Sequence, residues 1–339
     1  MMLLSIPAAI LLSWMLTGWM RRFALRSDLI DRPNARSSHS VPTPRGGGVA
    51  IVVTFLGMVL GLRAAGHLEP KLCLAILGSG LIVATLGYCD DRAPLEARWR
   101  FLGHAVATAT VIVCLGPLPP VPILGITFDL GFVAVVLSAL YLLWSINLFN
   151  FMDGIDGIAS LEAISVTLGG AWAWWLVNPA GDWPVAVLFA ASVAGFLIWN
   201  LPPAKIFMGD AGSGFLGLIV ALLALWSART EAHLFWSWFI LGGCFMVDAT
   251  TTLVRRVKRG ERFNVAHRSH AYQYASRKHR SHKIVSLAVA LINILWLLPI
   301  AIAVAVHTLD GLVGVLIAYA PLVWLAFHFR AGDRAAQET

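Results

Sequence analysis

The chain has 339 residues, 58% of them hydrophobic and only 13% charged, with a formal net charge of +7. Soluble domains carry about 25% charged and roughly 45–50% apolar residues, so the composition excludes a water-soluble globular protein and makes the lipid bilayer the solvent. The positive balance reflects the placement of loops and gives no reason to invoke nucleic acid.

A spanning helix needs about 20 mostly apolar residues. On that basis the first segment runs over 3–20. No basic residue precedes it, and Arg21 and Arg22 follow at once, the reverse of a cleaved secretory signal. This predicts a retained first helix with its N-terminus outside. Further apolar segments follow at 46–62, 71–88, 101–116, 131–149, 158–177, 183–199, 214–228, 234–254, 284–305 and 311–329. The expectation is a single all-α polytopic membrane domain over 1–339, a bundle of about eleven transmembrane helices. Between the fourth and fifth segments, GPLPPVPILGITFD (117–130) predicts a turn or short hairpin.

Orientation follows from Lys and Arg. With the N-terminus outside, the loops 21–45, 89–100, 150–157, 200–213, 255–283 and 330–339 are cytoplasmic and hold 22 of the 25 basic residues. The four cysteines (Cys73, Cys89, Cys114, Cys244) show neither a disulfide framework nor zinc spacing.

Acids carry the functional argument. Glu69, Asp129, Asp182, Glu231 and Asp310 stand singly in outside loops, whereas Asp90, Asp91, Asp153, Asp156 and Asp210 gather at the cytoplasmic face. Carboxylates crowded at a membrane face repel one another, so the cluster calls for a cation or a basic substrate. Asp90–Asp91 ends the third segment in LGYCDDR. Adjacent carboxylates in low dielectric cannot both ionise freely, which suits one as a metal ligand or base. The alternative is a solvated helix end paired with Arg92. In NFMDGIDG, the three-residue spacing of Asn150, Asp153 and Asp156 puts them on one side of a helix start. This all-oxygen set suits Mg²⁺ or Mn²⁺ and not zinc. Asp210, in NLPPAKIFMGDAGSG, precedes a Gly/Ser-rich helix start that offers free N–H groups to phosphate. Arg45 beside Gly46–Gly48 reads either as a phosphate contact or as part of a flexible basic loop. The 255–283 loop combines ten basic residues with four histidines. His267 and His270 read as phosphate ligands; His279 and His282 read as part of an anchor on anionic lipid.

Together these segments resemble the polyprenyl-phosphate N-acetylhexosamine-1-phosphate transferases. The resemblance spans about 31–283 and rests on HSVPTPRGGG (39–48), Asp90–Asp91, NFMDGIDGIA (150–159), NLPPAKIFMGDAGS (200–213) and VDATTTLVRRVKRGERF (247–263). It implies attack of undecaprenyl phosphate on the β-phosphate of a UDP-N-acetylhexosamine, with release of UMP, at the inner membrane of a bacterium. Asp90, Asp91 and Asp156 become the expected catalytic carboxylates, and Asp91 and Asp210 the Mg²⁺ (or Mn²⁺) ligands. His39, Arg45, Asn150, Asp153, Asn200, His267 and His270 become the expected substrate contacts. A homodimer is the family precedent. The chain departs from the family at His267-Arg-Ser-His270, where a His-x-His-His cluster is common, and at Val41, where many members carry Lys. Both departures lean towards the branch that initiates O-antigen. The rival readings are a cation-coupled transporter, since intramembrane acids also mark ion pathways, and a scaffold for surface-polysaccharide assembly.

Overall fold

The computed structural model describes residues 2–33, 41–261 and 268–333. His39 and His267 lie outside the described residues. Among the described residues the regular structure is helical, apart from two small antiparallel pairs. Its elements run α1 (Met2–Arg26), β1 (Ile30–Asp31), β2 (Thr43–Pro44), α2 (Gly48–Ala64), α3 (Pro70–Arg92) and α4 (Ala97–Leu115). There follow β3 (Val121–Ile123), β4 (Ile126–Phe128), α5 (Phe132–Met152), α6 (Ile158–Val177), α7 (Trp183–Asn200) and α8 (Asp210–Ala228). The last part holds α9 (His233–Leu241), α10 (Gly243–Lys258), α11 (Ala271–His279), α12 (His282–Ile292), a π turn (Asn293–Leu297), α13 (Leu298–Ala305) and α14 (Gly311–His328).

Every predicted apolar segment is occupied by helix, but fewer qualify as spans than expected. Among the described residues, six helical runs are long and apolar enough to cross a bilayer: α3, α5, α7, α8, α12–α13 and α14. The pair α9–α10 makes a seventh if taken as one. The expected span over 234–254 is broken by a bend of 70° between Leu241 and Gly243. Gly243 lets the ring of Tyr319 come against the backbone at the bend, and α10 beyond it buries the charged groups Asp248 and Arg256. The predicted hairpin is present. Leu124 and Gly125 both take positive φ (50° and 79°) between β3 and β4, as a two-residue hairpin turn requires.

The axis of the bundle is α8, buried along nearly its whole length. Helices α2, α3, α5 and α9 pack around it. Close approach depends on small residues, as in other membrane bundles. Gly217 of α8 lies against the Ser145 carbonyl of α5, and Gly48 of α2 faces Gly212 of α8. Phe55, Phe189 and Phe215 fill the space between, the first two edge-to-face with centroids 4.9 Å apart. The π turn brings Asn293 against α6, where its amide donates to Glu162 Oε2 at 2.7 Å and to Ser165 Oγ at 2.8 Å. This buried polar cluster sits inside an apolar run.

Candidate active site

Backbone pairing builds the floor of the site. The Gly47 and Gly48 amides donate to the Phe207 and Met208 carbonyls at 2.9 and 2.8 Å, and the Phe207 amide donates to the Pro44 carbonyl at 2.8 Å. The loop carrying Arg45 is thereby laid along the loop that ends at Asp210. Both reach the start of α8, where Gly87 of α3 packs directly on the Asp210–Ala211 peptide.

That contact puts Asp91 at the head of α8. Its carboxylate accepts from the Asp210 amide at 3.0 Å and from the Ala211 amide at 3.3 Å. An acid from one helix thus caps another, satisfying amides that the first turn leaves free and complementing the helix dipole. The Asp91 side chain has no solvent exposure, and Arg45 pairs with it directly. The same guanidinium lies 3.7 Å from Asp210 Oδ1.

Asp90 turns the other way. It accepts from the Leu95 amide at 2.6 Å, pairs with Arg100 at 2.8 Å and comes within hydrogen-bonding reach of the Asp210 side chain. Arg92, the partner that the alternative helix-end reading gave these acids, instead lies over the Tyr88 and Phe23 rings, 4.9 and 5.7 Å from their centroids.

Asp153 follows the last turn of α5 and faces the same space. Its carboxyl is pushed well above the usual carboxylate range, first by desolvation and then by the charges of Asp210, Asp91 and Asp156, with Arg45 opposing. Nearby, the Asn150 amide donates to Ser213 Oγ in the first turn of α8 at 3.2 Å. Gly154 has no side chain where the Tyr272 hydroxyl passes to donate to the Phe151 carbonyl at 3.0 Å. Four loops and helix ends that are far apart in the chain therefore present Asp91, Asp153, Asp210 and Arg45 together. The donor set is all oxygen with one counter-cation, and carboxyls crowded in a desolvated space fit a hard divalent ion such as Mg²⁺.

The other expected residues are placed as follows. Asp156 accepts from the Ala204 amide at 3.0 Å and lies 3.3 Å from His282 Nδ1. It borders a cavity of 630 Å³ whose basic wall is Arg277, Arg280, His282 and Lys283. His282, read from the sequence as part of a membrane anchor, thus touches a site residue. Asn200 is 3% exposed and spans two loops, accepting from the Gly157 amide and donating to the Ile206 carbonyl, both at 3.0 Å. His270, also 3% exposed, precedes α11 with Nδ1 3.3 Å from Asp248 Oδ1.

Asp248 was assigned no role from sequence. It accepts from the Ala271 and Tyr272 amides at 3.0 Å each and from Thr252 Oγ1 at 3.1 Å. It caps α11 from α10 as Asp91 caps α8 from α3. A signal was present: an acid in the middle of a predicted span.

Comparison with known proteins bears on this arrangement. The sequence profile described as Glycosyl transferase family 4 matches residues 73–228. A probable undecaprenyl-phosphate N-acetylglucosaminyl 1-phosphate transferase of Bacillus subtilis (strain 168) is 31% identical over 293 residues, 83% of this chain and 79% of the relative. The chain belongs to glycosyl transferase family 4. A decaprenyl-phosphate N-acetylglucosaminephosphotransferase of Mycolicibacterium smegmatis is 30% identical and covers 99% of this chain and 90% of its own length. A phospho-N-acetylmuramoyl-pentapeptide-transferase of Shouchella clausii is 27% identical over 75% of this chain and 81% of its own length. The family-4 match contains Asp90, Asp91, Asn150, Asp153, Asp156, Asn200 and Asp210. Arg45, Asp248, His39, His267, His270 and His282 lie beyond it.

Proposed function

We propose that this family-4 protein transfers an N-acetylhexosamine-1-phosphate from a UDP-sugar to undecaprenyl phosphate, releasing UMP and forming an undecaprenyl-diphospho-sugar that initiates O-antigen or a related surface glycan. The carrying observation is the meeting of Asp91, Asp153 and Asp210 with Arg45 at one end of the bundle. Phosphoryl transfer asks a protein mainly for positioning and charge neutralisation. Asp210 and Asp91 are the proposed ligands of Mg²⁺ or Mn²⁺, which when bound offsets the charge of the diphosphate. Arg45 provides a fixed cation on the other side of the same carboxylates. Asn150 and the 153–157 loop hold the nucleotide sugar, and the Asp90–Asp91 pair orients the lipid phosphate and accepts its proton. The basic wall at Arg277–Lys283 draws anionic substrates to Asp156.

The proposal includes about eleven crossings of the inner membrane with the N-terminus outside, so that a soluble cytoplasmic nucleotide and a lipid-embedded acceptor meet where helix ends reach the bilayer surface. The test is release of UMP by the purified protein, with undecaprenyl phosphate, Mg²⁺ and a panel of UDP-sugars. Release that requires lipid phosphate and divalent cation, and favours one N-acetylhexosamine, is the expected result. Solute transport without UMP release would replace the reading with a transporter.

A further inference from the structure

The opposite end of α8 carries a second constellation. Nineteen helical residues separate it from the acid cluster, roughly 28 Å at 1.5 Å per residue. Glu231 stands two residues before His233 in the sequence, and the fold brings a second histidine to the pair. His233, at the start of α9, has Nδ1 2.9 Å from Glu231 Oε1. His307, in the turn after α13, has Nε2 3.7 Å from Glu231 Oε2. The rings lie 4.0 Å apart, and one ligand atom from each residue falls within 4.8 Å of the other two.

We propose that Glu231, His233 and His307 bind one zinc-like divalent ion, joining the α8–α9 loop to the α13–α14 loop. Two imidazoles and one carboxylate form a three-ligand set that leaves a fourth position for water. Nitrogen donors select against the Mg²⁺ expected at the other end of the bundle. Metal bonds of about 2.0–2.1 Å in a tetrahedron separate neighbouring ligand atoms by roughly 3.3–3.4 Å. One Glu231 oxygen lies 2.9 Å from His233 Nδ1 and the other 3.7 Å from His307 Nε2, so side-chain rotation has to turn one ligand atom of each residue onto a common ion. His307 is half exposed, which gives an ion a route in. Its backbone takes φ +61°, a left-handed conformation of the kind that commonly ends a helix. Burial works against ionising Glu231, yet the hydrogen bonds from the His233 side chain and amide hold its carboxyl below the usual range.

The test uses the full-length protein in detergent, stripped on a chelating resin and then titrated with ZnCl₂ in excess Mg²⁺. Asp210→Asn serves as a control for zinc at the acid cluster. The expected result is one tightly held zinc per chain in the wild type and in Asp210→Asn, with a raised thermal midpoint. His307→Gln and Glu231→Gln should each weaken binding by about 100-fold or more, since even outer-shell losses cost 10–100-fold. His307→Gln should unfold at the same temperature as the stripped wild type. No stoichiometric zinc, or equal uptake by wild type and both variants, would overturn the site and leave an ordinary Glu–His ion pair. Neither outcome touches the transferase reading, which UMP release tests separately.

Discussion

Two carboxylates do the same architectural job in different surroundings. Asp91 reaches from α3 to cap α8, and Asp248 reaches from α10 to cap α11. Each is almost completely buried, and each accepts from two successive helix-start amides. Asp91 does this beside Arg45, Asp210 and Asp153, where charge remains for a ligand. The partners of Asp248 are Thr252, His270 and backbone amides, so its bonds are spent on holding α11. The helix that it holds carries Tyr272 onto the 151–154 turn. One cap is therefore part of the chemistry, and the other keeps a wall of the site in position.

The sharpest break in this comparison comes from Asp210, which is beside the first cap but not part of it. Asp210→Asn should cut UMP release by roughly 100-fold or more, because a bound divalent ion supplies several kcal/mol of charge stabilisation. The thermal midpoint should hardly move. Asp91→Asn should lose turnover almost as completely and should also unfold earlier. It leaves Arg45 without its closest anion and offers α8 one acceptor oxygen where there were two. Rates near wild type in both variants would remove the site assignment.

Asp248→Ala should destabilise the protein by about 1–3 kcal/mol through the lost cap and buried hydrogen bonds. Its effect on UMP release should appear mainly as a higher KM. If it abolished turnover at saturating substrate, the distinction between the two acids would fail. The smallest expected effect is at the contact that α11 makes. Gly154→Ala places a methyl against the Tyr272 hydroxyl and should cost about 1–3 kcal/mol. Tyr272→Phe alone should cost about 1 kcal/mol. Because the hydroxyl is the clashing atom, the double variant should be more stable than the sum of the single effects predicts, as read by thermal unfolding.

The helical segments and the acids at their ends are legible in the sequence. A bilayer forces long apolar runs into helices because no water is present to satisfy the backbone, and motif residues such as Asp90–Asp91 and Asn150–Asp156 stand out as polar residues in apolar text. The sequence is less legible where an apolar run conceals a polar group. Asp248 fell inside the segment 234–254, which the structure bends by 70°, and Glu162 fell inside α6, opposite the π turn. In each case the acid also takes partners from a different helix (the Ala271 and Tyr272 amides for Asp248, Asn293 for Glu162), and spacing along the chain carries no trace of them.

The division has a physical basis. Composition, hydropathy and local motifs by themselves determined a helical membrane protein of glycosyl transferase family 4, because these properties depend on the solvent and on a few neighbouring residues. Only the tertiary structure decided that Asp91 caps α8 and binds Arg45 while Asp90 pairs with Arg100, or that His282 meets Asp156. Adjacent residues on a helix point about 100° apart, so two neighbouring acids face different partners. Which partners they meet depends on how the helices pack.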